Sequence, residues 1–438
     1  MRRSLFALLL LAFAPLPAAA QPAAPALHPK IDAAAVALQS KLVAWRRDFH
    51  QNPELSNREF RTSKVVAAHL TALGLEVKTG VAKTGVVGIL RGGRPGPVVA
   101  LRADMDGLPV EEEVDLPFRS TARGEYNGRE VPVMHACGHD MHMAILMGAA
   151  EVLTGLKAEI PGTVVFIFQP AEEGAPRGEE GGADVMVAEG VLDNPKVDAI
   201  FGLHVFPYRV GQIVVRPEGF MAASDSFRIT VRGRQTHGAL PWGGVDPIVV
   251  GSQVVLGLQT IISRQSDVTK APAVITVGIF NGGVRSNIIP DTATLEGTIR
   301  TFDPAMQDDI HDRITRTATS IAESAGATAE VSITRGNPVT WNDRALTERM
   351  APSLRRVSPV GFEDDPQVTT TAEDFAHYQK KVPGMFFFLG VTPEGTDPAT
   401  AARNHSPRFY SDEGALVPGV RAMASVAVDF LAGGGTKP

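Results

Sequence analysis

Four short segments, residues 85–90, 98–102, 163–168 and 197–203, are almost continuously apolar and rich in Val, Ile and Phe. A strand with one wet face alternates apolar and polar residues, whereas a strand covered on both faces has no polar side to show. These runs are therefore expected to be strands buried on both faces. A helical stretch, residues 143–153, separates the second from the third. Such alternation argues for an α/β fold with a mixed, largely parallel sheet flanked by helices.

Around this frame the pattern divides the chain. Leu38, Leu42, Trp45 and Phe49 recur at helical spacing and mark an amphipathic helix. Ser56 and Glu59 match an S-x-x-E capping box that opens a second helix, ending at Leu73-Gly74. From residue 225 to 335 the order becomes strand (226–231), helix (246–263), strand (273–280), strand (292–300), helix (304–325) and strand (329–334). That β-α-β-β-α-β order is the ferredoxin-like split unit. After Gly336 the first style returns, with a strand near 385–389 and a helix carrying Leu416, Val420, Met423, Ala427 and Phe430. The expected organisation is a larger domain in two parts, 31–224 and 336–438, and an inserted ferredoxin-like α+β domain at 225–335.

Composition narrows the partners. Lys and Arg number 42 against 48 Asp and Glu, a net charge of -6, with no basic block, so a nucleic-acid partner is excluded. One cysteine excludes an intramolecular disulfide and any zinc ribbon. At the N-terminus Arg2 and Arg3 precede an apolar run over 5–13 that ends in Ala18-Ala19-Ala20. This is the pattern of a secretory signal peptide over 1–20, cleaved before Gln21, and the run is too short to span a bilayer. No later segment approaches eighteen uninterrupted apolar residues. The mature chain is thus expected to be secreted into the periplasm with no membrane partner.

Polar clusters sit where the apolar runs end, the place where open α/β sheets form their ligand crevice. Arg102-Ala103-Asp104-Met105-Asp106 ends one run, and His135-Ala136-Cys137-Gly138-His139-Asp140 precedes a helix. Gln169-Pro170-Ala171-Glu172-Glu173-Gly174 ends another run, His204 follows Gly202-Leu203 at the end of a fourth, and Asn404-His405 lies in a late loop. Five separated segments thus deliver metal-ligating side chains to one sheet edge. Cys137 and His139 offer thiolate and imidazole from one glycine-containing loop. Adjacent Glu172 and Glu173 can divide labour, because two divalent cations sharing a water lower its pKa and polarise a carbonyl oxygen. A carboxylate not used as a ligand then accepts the water proton and returns it to a leaving amine. Glu172 is taken as that base and Glu173 as ligand, although spacing alone leaves them exchangeable. His237 is a candidate oxyanion donor on closure of domains or subunits. Asn287 and Arg300 are candidate substrate contacts, Arg300 being able to clamp a carboxylate. His28, His50, His69, His311 and His377 lack companion ligands and are read as structural.

Between His50 and His405 the chain carries M-H-A-C-G-H-D, F-Q-P-A-E-E-G, G-L-H-V-F-P, T-H-G-A-L-P, S-N-I-I-P-D, G-T-I-R and Glu373-Asp374-Phe375-Ala376 in order. With these it resembles the dinuclear metallohydrolases of the aminoacylase/carboxypeptidase superfamily, in the branch of hippurate hydrolases, N-acyl amino acid amidohydrolases and auxin-conjugate hydrolases. The resemblance implies metal ligation by Cys137, His139, Glu173, His204 and His405, with Glu172 catalytic. It implies substrate contacts by His237, Asn287 and Arg300, and a homodimer formed through the inserted domain. Distant members carry H-x-D where this chain has Asp104-Met105-Asp106, and Asp106 is expected to support the ligands without binding metal. Trp242 and the charged loop 175–182 depart from relatives around the substrate entrance.

The expectation is a metal-dependent amidohydrolase or carboxypeptidase that cleaves the amide of N-acyl or N-aroyl amino acids, or a residue from a small peptide. Two divalent ions per subunit, Mn, Zn, Ni or Co, are its cofactors. Two other readings stand beside it. One is a thiol hydrolase using Cys137 with His135 or His139 as base; the other is a non-catalytic periplasmic binding protein on this scaffold.

Overall fold

The computed structural model describes residues 26–435, so the signal expected at 1–20 lies outside the described residues. All four apolar runs are strands of one eight-stranded sheet. Its order is Glu76–Val81, Gly85–Arg91, Pro161–Gln169, Arg94–Asp104, Ala199–Arg209, Gly384–Thr392, Ile213–Val214 and Phe362–Glu363. The four strands from Pro161–Gln169 to Gly384–Thr392 run parallel, and antiparallel pairs flank them. Alternate residues of these strands enter different cores. Val164, Phe166 and Phe168 pack in one, with helices His139–Gly155 and Leu416–Ala432, while Val165 and Ile167 pack in the other, with Phe375 and Tyr378. Burial on both faces thus explains the unbroken apolar runs, each buried large side chain contributing about 1.5–3 kcal/mol.

The N-terminal pattern resolves into two helices, His28–Ala37 and Gln39–Gln51. Pro29 falls in the first turn of the earlier one, where its missing N–H is not needed. The capping box is not formed. Helix Phe60–Ala72 has no side-chain cap, because Ser56 Oγ donates instead to Asp106 at 2.8 Å. Glu59 turns inward and accepts from the Thr84 hydroxyl at 2.6 Å and the Ala171 N–H at 2.9 Å. Tertiary partners outcompete the local helix end for both side chains.

Strands Ala223–Arg232, Ala273–Gly282, Thr292–Thr301 and Thr328–Thr334 form a separate antiparallel sheet in the order second, third, first, fourth. Helices Pro247–Thr260 and Pro304–Ser324 accompany them, capped by Asp246 and Asp303, and the unit has its own apolar cluster. Among the described residues, two stretches, Pro247–Gln265 and Glu413–Ala432, are long and apolar enough to cross a membrane by length and composition. The second is mostly buried in the larger core, and the first lays Val250, Val254 and Leu258 into the core of the smaller sheet.

Buried Asp225 ties this unit together by accepting from Gln307 Nε2 at 2.6 Å, His311 Nε2 at 2.8 Å and the Gly336 N–H at 3.2 Å. Burial alone would raise its pKa, but the His311 and Gln307 hydrogen bonds hold it below the usual carboxylate value. A depressed native pKa stabilises the fold above the unfolded value, near 4, and that contribution is lost as pH falls through the native one. Asp225→Asn should therefore lower the urea midpoint at neutral pH and flatten its decline below about pH 4. Urea titrations across pH measure this, and parallel curves for the two proteins would contradict it.

Candidate active site

The C-terminal ends of the parallel strands gather the polar clusters. Cys137 and His139 flank the N-terminus of helix His139–Gly155, joined by Gly138 at φ 88°. Glu172 and Glu173 follow the Pro161–Gln169 strand in a turn opened by Ala171 at φ 53°. His204 does not end its strand as expected. The strand continues to Arg209 because its pairing with Gly384–Thr392 persists, whereas pairing with Arg94–Asp104 stops at Gly202. His204 therefore sits where one neighbour has left, which opens a crevice beside it.

Two of the imidazoles are oriented by backbone carbonyls. His139 Nδ1 donates to the Asp106 carbonyl at 2.8 Å, leaving Nε2 buried, without a hydrogen-bond partner and 3.9 Å from Glu172 Oε2. His204 Nδ1 donates to the Val205 carbonyl at 2.7 Å and leaves Nε2 3.3 Å from Cys137 Sγ. His405 Nε2 lies 3.0 Å from Glu173 Oε1. Three overlapping groups, Cys137/His139/His204, Cys137/Glu173/His405 and His139/Glu172/Glu173, each keep their donor atoms within 4.8 Å of one another. A cavity of about 220 Å³ opens onto them, lined also by Phe206, Met221, Thr371 and Ala372. Asp106 supports the carboxylate turn: its side chain accepts from the Glu172 and Glu173 N–H groups at 3.2 and 3.1 Å and from Ser56.

Charge at this centre is one-sided. Burial pushes Glu172 well above the usual carboxylate range, and Glu373, Glu173, Asp374 and Asp104 push it further. Glu373 and Asp374 are raised to about 8 and about 6, chiefly by burial. Burial opposes a charge on His139, yet Asp104, Asp106 and Glu173 raise it to about 10. His204 is held neutral by burial and by His142 and His139. A surplus of buried carboxylates around free imidazole and thiol donors fits divalent cations, which would reverse these shifts.

Several residues hold the site through contacts that the sequence pattern did not assign to them. Arg102 Nη2 donates to Glu373 at 2.9 Å and Asp374 at 2.7 Å and also contacts Asp104, while its Nε donates to Gln169 at 2.8 Å. His142 bridges Asp104 and the Val205 N–H. For His142 the signal is burial: every residue of the helix from His139 to Ala150 is buried, so a polar one there needs a partner. His50 likewise pairs with Asp140 at 2.8 Å and Glu112 at 3.0 Å.

His237, Asn287 and Arg300 are not brought to this cluster. His237 is exposed on a two-residue pairing with Ile288, and the Asn287 carbonyl accepts the Gly238 N–H at 2.8 Å. Arg300 stands in register between Ser224 and Val274 on the smaller sheet. None of the three lines the cavity over the ligands, and Trp242, five residues after His237, is 79% exposed.

A buried Cys, His and carboxylate cluster at the parallel-strand ends, with a further carboxylate beside it, defines a metal-dependent hydrolase of amide or peptide bonds. Residues 100–429 match the model of peptidase family M20/M25/M40, and the chain belongs to that family. It is 41% identical over 396 residues to thermostable carboxypeptidase 2 of Saccharolobus solfataricus, covering 90% of this chain and 96% of that protein. It is 38% identical over 404 residues to IAA-amino acid hydrolase ILR1-like 5 of Arabidopsis thaliana, covering 91% and 88%. Among solved structures, the Bacillus subtilis YXEP protein, described as a dinuclear metal binding peptidase from the M20 family, matches at TM-score 0.77 and 35% identity, covering 90% of this chain and 99% of that one. That neighbour and the ligand groups point to two metal ions here.

Gly138 sets the spacing of the first two candidate ligands. Its positive φ suits glycine, and a Cβ there would lie 2.3 Å from Val205 Cγ2. Gly138→Ala should store about 1–3 kcal/mol of backbone strain, before counting the Val205 clash, and separate Cys137 from His204. Thermal unfolding and metal titration should both weaken; a variant unchanged in both would remove this role.

Proposed function

We propose that Cys137, His139, Glu173, His204 and His405 hold the two cations and that Glu172 is the general base and acid. The substrate proposed is an N-acyl or N-aroyl amino acid, or a small peptide losing its C-terminal residue. The observation carrying this reading is the buried, unpartnered His139 Nε2 facing Glu172 within the overlapping ligand groups. When bound, Mn, Zn, Ni or Co ions would acidify a shared water and polarise the scissile carbonyl. Glu172, held through its backbone by Asp106, removes the water proton and delivers it to the departing amine. Phe206, Met221 and Ala372 offer apolar walls for the acyl or aroyl group. His237, Asn287 and Arg300 complete the substrate site when the smaller sheet closes over the cavity or a second copy of the chain presents it. The homodimer is proposed on the same ground.

A thiol mechanism has less behind it. Burial, with Glu173 and Glu172 close by, raises the Cys137 thiol, which opposes a free thiolate nucleophile. A binding-only role leaves the free Glu172 unexplained.

The test is amine release from N-acetyl, N-benzoyl and dipeptide substrates by protein stripped and reloaded with each metal. Chelation should abolish turnover and reloading restore it. Glu172→Gln should keep both ions and lose about 10²- to 10⁴-fold in kcat, and His237→Ala should lower turnover with metal content intact. A fully active Glu172→Gln protein would sink the assignment.

We also propose export to the periplasm, supported by the charged, apolar and small-residue pattern of residues 1–20. Expression of the whole chain followed by fractionation and N-terminal sequencing should find a periplasmic protein beginning at Gln21. An uncleaved cytoplasmic product would overturn this.

A further inference from the structure

Buried His142 uses both ring nitrogens within the protein. Nδ1 donates to Asp104 Oδ2 at 3.0 Å, and Nε2 accepts the Val205 N–H at 2.9 Å. A ring engaged in this way has no lone pair left for a cation, although Asp104, His139 and His142 bring donor atoms within 4.8 Å of one another. The peptide it grips belongs to the residue after His204. The carbonyl of Val205 accepts from His204 Nδ1 at 2.7 Å and from Asn404 Nδ2 at 3.1 Å. Asn404 in turn donates to the Cys137 carbonyl at 3.0 Å. The His142 ring also packs edge-on to that of His204, with centroids 4.6 Å apart, and lies 5.2 Å from the ring of His139.

We propose that His142 is a positioning residue of the metal centre: by accepting the Val205 N–H it fixes the strand backbone that orients His204, and so aims His204 Nε2 towards Cys137. This rests on the reading that Cys137, His139 and His204 bind metal. Removing the acceptor frees a buried N–H immediately after a ligand, and the strand has to shift to satisfy it. Contact with Asp104 has a different task, to fix the tautomer so that Nε2 stays the acceptor.

The two contacts can be separated in the full-length protein loaded with Co(II), whose absorption reports its thiolate and imidazole ligands. His142→Gln keeps an acceptor able to reach Val205. His142→Asn is shorter and keeps only a donor facing Asp104, and His142→Leu keeps neither. Folding is followed by thermal unfolding, metal stoichiometry by elemental content and affinity by chelator competition. All three variants should hold as many ions as the wild type. The Asn and Leu variants should bind about 10- to 100-fold more weakly with a changed Co(II) spectrum, and the Gln variant should recover most of the affinity and the wild-type spectrum. A Leu variant equal to wild type, an Asn variant recovering as well as Gln, or any variant holding one ion fewer overturns the proposal. Should the Leu variant not fold, the Gln and Asn pair decides. Wild-type protein that takes up no Co(II) overturns the metal reading itself, an outcome distinct from normal uptake with unchanged variants.

Discussion

The buried guanidinium of Arg102 is the interaction on which the geometry of the site depends. It sits in a strand between Ile167 and Gly202 of its two parallel neighbours and reaches Gln169, Asp104, Glu373 and Asp374. Those partners come from three separate stretches of chain, so one side chain clamps the strand ends together. An uncompensated charge at that depth would cost several kcal/mol, and the surrounding carboxylates offset it. Guanidinium suits the task because its planar fork presents several donors in fixed directions, whereas an ammonium is a point charge. Gln169 relays the constraint by donating from Nε2 to both Asp374 oxygens at 2.8 Å and accepting from the Tyr378 hydroxyl at 3.0 Å.

One guanidinium cannot balance the acids gathered there. Asp104, Asp106, Glu172, Glu173, Glu373 and Asp374 share the region, and the side chains of all six are 10% exposed or less. Asp106 shows how the fold uses such a carboxylate: three donors fix it, two of them the N–H groups of Glu172 and Glu173, so the turn bearing both acids is anchored from behind. Glu59, raised to about 8 by burial and by Asp106, accepts from the Ala171 N–H and anchors the turn one residue earlier. Cations bound by the acids of such a turn couple metal binding to the stability of the folded site.

Strand periodicity made the layered α/β architecture legible, because continuous apolar runs have one simple explanation, burial on both faces. The β-α-β-β-α-β order of the smaller sheet was legible from alternating strand and helix periods. Ser56 and Glu59 misled because a capping box is a local pattern, and the donors and acceptors that claimed them come from residues far along the chain. His204 misled in the opposite way: the polar residue suggested a strand end, but pairing on one side carried the strand to Arg209. Arg102, Glu373 and Asp374 were legible only as members of a crevice cluster and a family motif, and His142 not at all, because what they do lies in contacts across the sheet, which spacing does not encode.

The placement of His237, Asn287 and Arg300 bears on how the reaction would be confined. The proposed metal ligands and Glu172 lie with the larger sheet, whereas the groups suited to an oxyanion and a substrate carboxylate lie with the smaller one. Hydrolytic machinery open to solvent on one side polarises any carbonyl that reaches it, so it discriminates little by itself. In the proposed reaction discrimination would need a second set of contacts, which His237, Asn287 and Arg300 would supply on the arrival of another surface over the cavity. Exposed Ile288 pairs with His237, and exposed Leu240 and Trp242 follow His237 closely in the chain, so a surface that presents His237 would carry apolar area along with its polar groups. Burying that area would exclude water while the proposed base Glu172 carries its proton, and in a drier site a hydrogen bond to the developing oxyanion is stronger. On the proposed roles, recognition and chemistry would be divided between two sheets, and approach of the second would tie bond cleavage to a correctly seated substrate.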